Sequence, residues 1–593
     1  MEVTRVFDIL DRLNAKFQKE DLLCSKENKQ WKKNSTKDFL LYVNQVSNAL
    51  LESGIKRGDK VAIVSNNRPE WNFVDYGCQQ IDVVTVPIFP TISLADLKYI
   101  LIESDVKMVF ISGKDIYKKL ALIEAEIPHV QSVVSFNPVD GIPHFDQFLE
   151  KGKSLSHQSE VEAIRTTIKP DDLFTILYTS GTTGFPKGVM LSHSNLVSNV
   201  ISTRDMAPFA SSWRALSFLP LNHVYERMVN TLYLYHGISI YYAEGLETIG
   251  DNLKEVCPQV FVSVPRLIER VYDRLLSAGE KLTGWKKKLF FNAVDLALTY
   301  DPRSISFGAK LKRKFYDVLI FSKWRQALGG NVVCMVSGGA ALQPRLARVF
   351  QCAGILILEG YGLTETSPVI SANCFLEDGI CIGTVGLVIE GTTVKIADDG
   401  EILVKGPGVM LGYYKNENAT REVIDEEGWF HTGDIGTFVE GRFLKITDRK
   451  KEIFKTSSGK YIAPLMIENK IKECRFVEQC CVVGEGEKFA SALIVLSMDY
   501  VKEWCQKNQH DIPTPEAAVS HEGIRKEVSS FIREMNKSLA PYEQIKKQEL
   551  ISVPWTVEGG EMTPKLSMKR KVILKKHESE LNRIFGGASS DEN

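Results

Sequence analysis

None of the eleven cysteines stands in a CxxC pair, so neither a zinc site nor a disulfide framework is indicated. Cys480 and Cys481 are adjacent, and the others are scattered through apolar stretches such as VVCMVS, the usage expected of reduced, buried thiols. Net charge is nearly absent: 73 basic residues face 74 acidic ones, for a formal value of −1, which removes any global electrostatic case for nucleic acid. No apolar run is long enough to span a bilayer and no signal-peptide pattern is read. The expectation is a cytoplasmic protein whose membrane contact, where it has one, is peripheral. The nucleotide loop of the GxxxxGK[ST] type is missing too, because Lys187 follows Pro186 and Gly188 stands where Ser or Thr would be needed. What remains is an ordinary soluble composition, 44% hydrophobic and 25% charged, in 593 residues, too many for one core.

Between Tyr178 and Asn195 the chain reads YTSGTTGFPKGVMLSHSN. Ser180, Thr182 and Thr183 are packed between Gly181, Gly184 and Gly188, with Lys187 close behind. The preceding LFTILYT, Leu173 to Thr179, is apolar and β-branched and predicts a buried strand. A strand opening into a glycine-rich turn aims backbone N–H groups and hydroxyls at an anion, here a polyphosphate. The plain alternative is a Ser/Gly-rich surface loop.

Residues 1–17 place Val3, Val6, Phe7, Leu10, Leu13 and Phe17 at helical spacing, an amphipathic helix expected to dock on the protein itself. VAIVS (61–65), helical 69–79, VVTVPIF (83–89), helical 93–103, KMVFIS (107–112) and SVVSF (132–136) follow. This alternation predicts an α/β fold with doubly wound parallel sheets. Polar residues 151–170 read as a connector. In LSFLPLNHVYERM (216–228), His223, Glu226 and Arg227 interrupt an apolar stretch; a satisfied core histidine and a pocket histidine are both open. Residues 281–330 interleave Lys286–Lys288, Lys310, Lys312–Lys314, Lys323 and Arg325 with aromatics, which suits a solvated helical face or a helix on an anionic membrane.

Two strand patterns then end in small residues. VVCMVSGGAAL (332–342) carries Gly338, Gly339 and Ala340, and GILILEGYGLTETSP (354–368) carries Glu359, Gly360 and Gly362. Such ends let a flat ring lie against the backbone. Tyr361 offers a stacking surface, Thr364 a hydroxyl, and Glu365 a carboxylate suited to magnesium. GTVG (383–386) and VKGPGVMLGYY (404–414) predict a small barrel-like subdomain. WFHTGDIG (429–436) places Asp434 in a turn, where one carboxylate can accept from two ribose hydroxyls. KITDRKKEIFKTSSGKYIAP (445–464) leads into a small α+β unit that ends near the basic MTPKLSMKRKVI (562–573).

These motifs closely resemble those of the adenylate-forming superfamily of acyl-CoA synthetases, luciferases and peptide-synthetase adenylation domains. The resemblance spans nearly the whole chain. HxxER at His223 and VFVSVPRLIERVYDRL (260–275) are similar to the long-chain fatty acyl-CoA synthetase branch. It implies a large domain at 1–447, a hinge at 448–452 centred on Lys451, and a mobile C-terminal domain at 453–593. ATP is then held by Ser180, Gly181, Thr182, Thr183, Gly184 and Lys187, by Gly338, Gly339, Ala340, Glu359, Gly360, Tyr361, Gly362 and Thr364, and at the ribose by Asp434 and Arg449. Thr182 and Glu365 are the implied Mg2+ ligands, and Gly459 in the loop 456–460 lines the coenzyme A channel. Lys565, Glu365, Thr179 and His223 are the catalytic candidates. Lys565 matches the family's mobile lysine, although many long-chain members have Thr there, which makes Lys569 a rival.

The implied activity is ATP-dependent long-chain fatty acid:CoA ligation through an acyl-adenylate. Its partners are fatty acid, ATP and coenzyme A, without nucleic acid or an obligate protein partner. A fatty acyl-AMP ligase serving a carrier protein stands second, and a catalytically inactive lipid-binding relative third. Intact Lys187, Glu365, Asp434, Arg449 and Lys565 argue against the inactive relative.

Overall fold

Short β-branched runs covered on both faces stack as parallel strands. The computed structural model describes residues 2–179, 185–245, 247–302, 304–376, 378–557, 559–563 and 568–586. Within these, Lys60–Val64, Val84–Pro87, Val106–Ile111, Ser132–Ser135 and Leu173–Thr179 form a parallel sheet. Helices Pro69–Gln80 and Leu94–Glu103 alternate with its strands as expected. The sheet departs from parallel order at one end. There Leu173–Thr179 turns back against Lys187–Ser192 as an antiparallel hairpin, and Gly412–Tyr413 adds to the hairpin's outer strand.

The second sheet has a parallel centre of Ser239–Tyr242, Arg214–Ser217, Val260–Ser263, Cys334–Ser337 and Leu356–Gly362. From Val369–Ala372 onward it becomes antiparallel, through Leu387–Val388 to the pair Phe430–Val439 and Phe443–Arg449. The glycine-rich region expected to be barrel-like is instead divided: most of its strands run on from the parallel strands in this sheet, while Gly412–Tyr413 joins the first sheet. Nine of the eleven cysteines are buried, and all are free.

Two local expectations change. The amphipathic N-terminal segment docks as expected, with Val3, Val6, Phe7, Leu10 and Leu13 buried, but its regular helix spans Asp8–Lys16. Asp8 accepts the N–H groups of Thr4 and Arg5, which holds the first residues in a turn. The connector at 151–170 is largely helical, in Phe145–Gly152 and Gln158–Thr167. Its outer face is polar, while Phe145, Phe148 and Val161 enter the core. Gly152 permits this packing, since a Cβ there would lie 1.9 Å from the Gln45 carbonyl oxygen.

The C-terminal sheet of Val477–Val483, Ser491–Leu496 and Lys547–Ile551 has its own core, including Ile467, Val482, Ile494 and Val528. This unit meets helix Pro265–Glu280 through polar contacts: Arg266 with Glu478 of the sheet, and, from its helix Met498–Asn508, Glu503 with Ser277 at 2.7 Å and Lys507 with Glu280 at 3.6 Å. Among the described residues no helix is long and apolar enough to cross a membrane.

Candidate active site

The strand that leads into the Ser/Thr/Gly turn is held from beneath by Arg227. Its guanidinium pairs with buried Asp75 and donates to Thr175 Oγ1 at 2.8 Å and Thr85 Oγ1 at 3.0 Å. Neighbouring Glu226 faces the other sheet, accepting from Ser217 Oγ at 2.5 Å and Asn230 Nδ2 at 3.0 Å. Its second oxygen is buried without a hydrogen-bond partner, and burial pushes its pKa up to about 8. The Glu226–Arg227 dipeptide thus fastens helix Val224–His236 to both sheets, the guanidinium to one and the buried carboxyl group to the other. His223 caps that helix, its Nδ1 accepting the Tyr225 N–H at 3.1 Å.

Tyr225 supplies one reason for the small residues at the strand end. Its hydroxyl donates to the Val336 carbonyl at 3.2 Å, and its ring lies so close to Gly338 that a Cβ there would be 3.1 Å away. The flat ring against Gly338 is the chain's own. Gly362 has a similar internal reason, because a Cβ would sit 1.6 Å from the Pro368 carbonyl oxygen. Gly339, at φ +80°, and Ala340 remain exposed beyond the strand end. Gly360 lies opposite Ala372 in the sheet.

Thr179 and Lys187 face each other across the hairpin. Ser180, Gly181, Thr182, Thr183 and Gly184 lie outside the described residues. The Lys187 ammonium stands 4.9 Å from the ring centroid of Tyr413, whose hydroxyl donates to Glu365 Oε1 at 2.9 Å. Burial, with Glu365 beside it, holds that phenol well above its usual pKa, so it remains a donor. Tyr413 was not singled out from the sequence. It reaches the site by pairing with Val189 on the hairpin, a contact between residues distant in the chain.

Glu365 sits in the single turn Thr364–Thr366 beside buried Thr364, and its backbone carbonyl accepts the Met410 N–H at 2.9 Å. Its Oε2 makes no hydrogen bond among the described residues. Those residues hold no cluster of three or more His, Cys, Asp or Glu fit for a metal. One carboxylate with an oxygen to spare fits Mg2+ that arrives with phosphates and keeps its waters.

Across the antiparallel pair Phe430–Val439 and Phe443–Arg449, Asp434 stands opposite Arg449. Tyr361 donates to Asp434 Oδ2 at 2.7 Å, and Arg449 Nε lies 3.5 Å from Oδ1. Burial raises the Asp434 pKa, with Arg449 and Tyr361 opposing it. Asp434 therefore lies within a strand, after Gly433 at φ +72°, rather than in the expected turn. Glu359 is buried and pushed up to about 8, its carboxyl group facing the N–H groups of Gly383 and Leu342. It turns to the chain's own backbone.

Residues 12–414 match the AMP-binding enzyme family, and residues 451–589 match the AMP-binding enzyme C-terminal domain. The chain belongs to this family. Its branch within these AMP-binding enzymes is that of the long-chain fatty acyl-CoA synthetases. The chain is 35% identical to "Long chain acyl-CoA synthetase 7, peroxisomal" of Arabidopsis thaliana, over 88% of this chain and 77% of that protein. It is 33% identical to "Long-chain-fatty-acid–CoA ligase FadD15" of Mycobacterium bovis, over 90% and 89%. Among solved structures, the anthranilate CoA ligase AuaEII in complex with anthranoyl-AMP has the same fold, with a TM-score of 0.71 at 18% identity over 97% of this chain and 99% of that one.

The AMP-binding enzyme C-terminal domain begins at exposed Lys451. Just before it, Lys450 bonds Asp399 at 2.6 Å and Glu401 at 2.7 Å. Buried Asp448 accepts the Arg449 N–H at 2.6 Å and, across the boundary, the Leu465 N–H at 3.1 Å. Burial pushes its pKa up to about 6. Gly459, at φ +82°, makes the turn between Phe454–Lys455 and Tyr461–Ile462. Lys565 lies outside the described residues. Lys569 is exposed, and its N–H donates to the Glu561 carbonyl at 2.7 Å ahead of helix Arg570–Lys576. Arg570 pairs with Glu468, lies 3.3 Å from Glu452, and donates to the Val482 carbonyl at 2.8 Å.

Proposed function

We propose that this AMP-binding enzyme is a long-chain fatty acid:CoA ligase that works through an acyl-adenylate. A carboxylate oxygen of the fatty acid attacks the α-phosphorus of ATP, and pyrophosphate leaves. The coenzyme A thiol then attacks the acyl carbonyl, AMP leaves, and the thiol proton passes to solvent. Both nucleophiles come from substrates, so the protein contributes position and charge.

The observation that carries this reading is the linked set Lys187–Tyr413–Glu365 at the end of the phosphate hairpin. In this reading Lys187 and the turn at Ser180–Gly184 take the β- and γ-phosphates, and Asp434 and Arg449 take the ribose. Glu365, with Thr182, would hold Mg2+, which when bound neutralises charge on the phosphates. Tyr361 positions Asp434, while Gly339 and Ala340 leave backbone open for the base. His223 holds the start of the helix that borders the acyl pocket. The chain from 1 to 447 is then the substrate-binding domain and 448–452 the hinge. The unit at 453–593 swings to bring first Lys565, with Lys569 as its rival, and then the Gly459 loop toward the reacting carbon. The relatives named as long-chain acyl-CoA synthetases support the substrate class.

The deciding assay is exchange of labelled pyrophosphate into ATP across short to very long acids, followed by addition of coenzyme A. Exchange that peaks at long chains and yields acyl-CoA supports the proposal. Exchange without acyl-CoA points to a carrier-protein ligase, and ADP in place of AMP rejects adenylate chemistry. Lys565→Ala is expected to abolish exchange while sparing thioester formation from preformed acyl-adenylate. Equal loss of both steps would remove Lys565 from the first one.

A further inference from the structure

Helix Phe307–Tyr316 buries none of its residues. Phe307, Leu311, Phe315 and, in the next turn, Val318 recur at helical spacing, and all are exposed, Phe307 by 80% and Val318 by 72%. A helix in a globular protein turns such a stripe toward its core. Here the core contacts are made further on, by Ile320, Phe321 and Trp324. Trp285, 71% exposed, adds a large amphipathic ring on the adjoining helix Gly284–Leu298.

Positive charge predominates around the stripe. Residues 281–330 contain eleven Lys or Arg and three Asp or Glu, in a chain whose net charge is −1. Lys310, Lys312 and Lys314 flank the apolar residues, are exposed, and form no ion pair among the described residues. A cavity of about 450 Å3 opens beside Val318, lined by Arg313, Lys314, Asp317, Arg325 and Gly354. Arg313 donates to the Cys352 carbonyl at 2.8 Å, and Arg325 donates to the Ala353 carbonyl at 2.6 Å and pairs with Asp317 at 2.6 Å, which leaves Arg313 and Lys314 as the cavity's cations without an ion pair among the described residues.

We propose that this face docks the protein on an anionic phospholipid bilayer, with the helix lying in the interface plane. The stripe enters the acyl boundary, the flanking lysines meet the headgroups, and the cavity beside Val318 seats a headgroup phosphate. A second copy of the chain fits the face poorly, because it would bring two strongly basic surfaces together. The purpose rests on the ligase reading, since a long-chain acid dissolves in the bilayer from which the enzyme would take it. The docking itself is independent of that reading.

The test is co-sedimentation of the full-length protein with phosphatidylcholine vesicles, with and without phosphatidylglycerol. Binding should require the anionic lipid and weaken as salt rises. Leu311→Glu with Phe315→Glu should abolish it. Lys310→Glu with Lys312→Glu should lower it more than tenfold, from about fivefold per basic residue at an anionic surface. All four positions are exposed, so activity on dispersed fatty acid without vesicles should stay within about twofold in both variants. Equal partition of wild type and the Leu311/Phe315 variant would overturn the proposal. So would a concentration-dependent dimer that this variant dissolves while wild type ignores vesicles. Anionic-lipid binding without ligase activity would leave the docking face standing and reject the ligase reading alone.

Discussion

Tyr413→Phe removes one oxygen from the centre of the proposed site and leaves the ring. The Lys187 ammonium keeps its aromatic face, and the Met410 N–H still holds the Glu365 backbone, so the change is confined to the bond on Glu365 Oε1. A hydrogen bond to a charged group is worth about 1.5–3 kcal/mol. Glu365 is only half-buried, and water can replace part of that bond, which leaves about 1–2 kcal/mol, or about five- to thirtyfold in rate. The loss should fall on pyrophosphate exchange and deepen when magnesium is limiting. Thioester formation from preformed acyl-adenylate should stay near wild type. Exchange within twofold of wild type, or equal loss in both half-reactions, would show that the tyrosine serves packing and does not orient the carboxylate.

Two other perturbations separate scaffold from machinery. Glu226→Gln keeps an acceptor for Ser217 and Asn230 and removes the titration. Folded Glu226 holds its proton up to about 8, whereas an exposed glutamate releases it near 4.5, so the wild type's stability falls as pH rises through that window. The Tm of the variant should gain on wild type between pH 5 and pH 8.5, and a pH-independent difference would contradict the buried, neutral assignment. Lys451→Pro should block thioester formation while sparing exchange, because proline fixes φ at the proposed pivot. The Lys451 N–H donates no backbone bond among the described residues, so the substitution costs no hydrogen bond. Unimpaired transfer from preformed adenylate would place the pivot elsewhere.

What the sequence made legible is what one segment encodes by itself. Leu173–Thr179 is a strand because a β-branched apolar run suits a sheet covered on both faces, and the alternation from residue 60 onward yields the parallel order. Asp434 and Arg449 were legible as a pair through their motifs, and the structure sets them opposite each other in adjacent strands. Tyr413 was hidden because its place depends on a two-residue strand crossing to a hairpin more than two hundred residues earlier. The glycines were half-legible. Their composition announced close approach, but at Gly338 and Gly362 the approaching groups are Tyr225 and the Pro368 carbonyl. The helices near 151–170 escaped notice because their polar outer faces outweigh the few apolar residues that enter the core.

One guanidinium has mechanical reach. Arg570 joins Glu452, the last residue of the proposed hinge, to Glu468 on helix Pro464–Ile471 and to the edge of the C-terminal sheet. Glu468 is almost fully buried, so a motion that pulled the basic end of the chain away from the hinge would strand a carboxylate without its counterion. With the hinge proposed at 448–452, Glu452, helix Pro464–Ile471 and helix Arg570–Lys576 would then travel as one clamped body. In the proposed swing, a turn at Lys450 and Lys451 would be passed to helix Arg570–Lys576 through that single side chain.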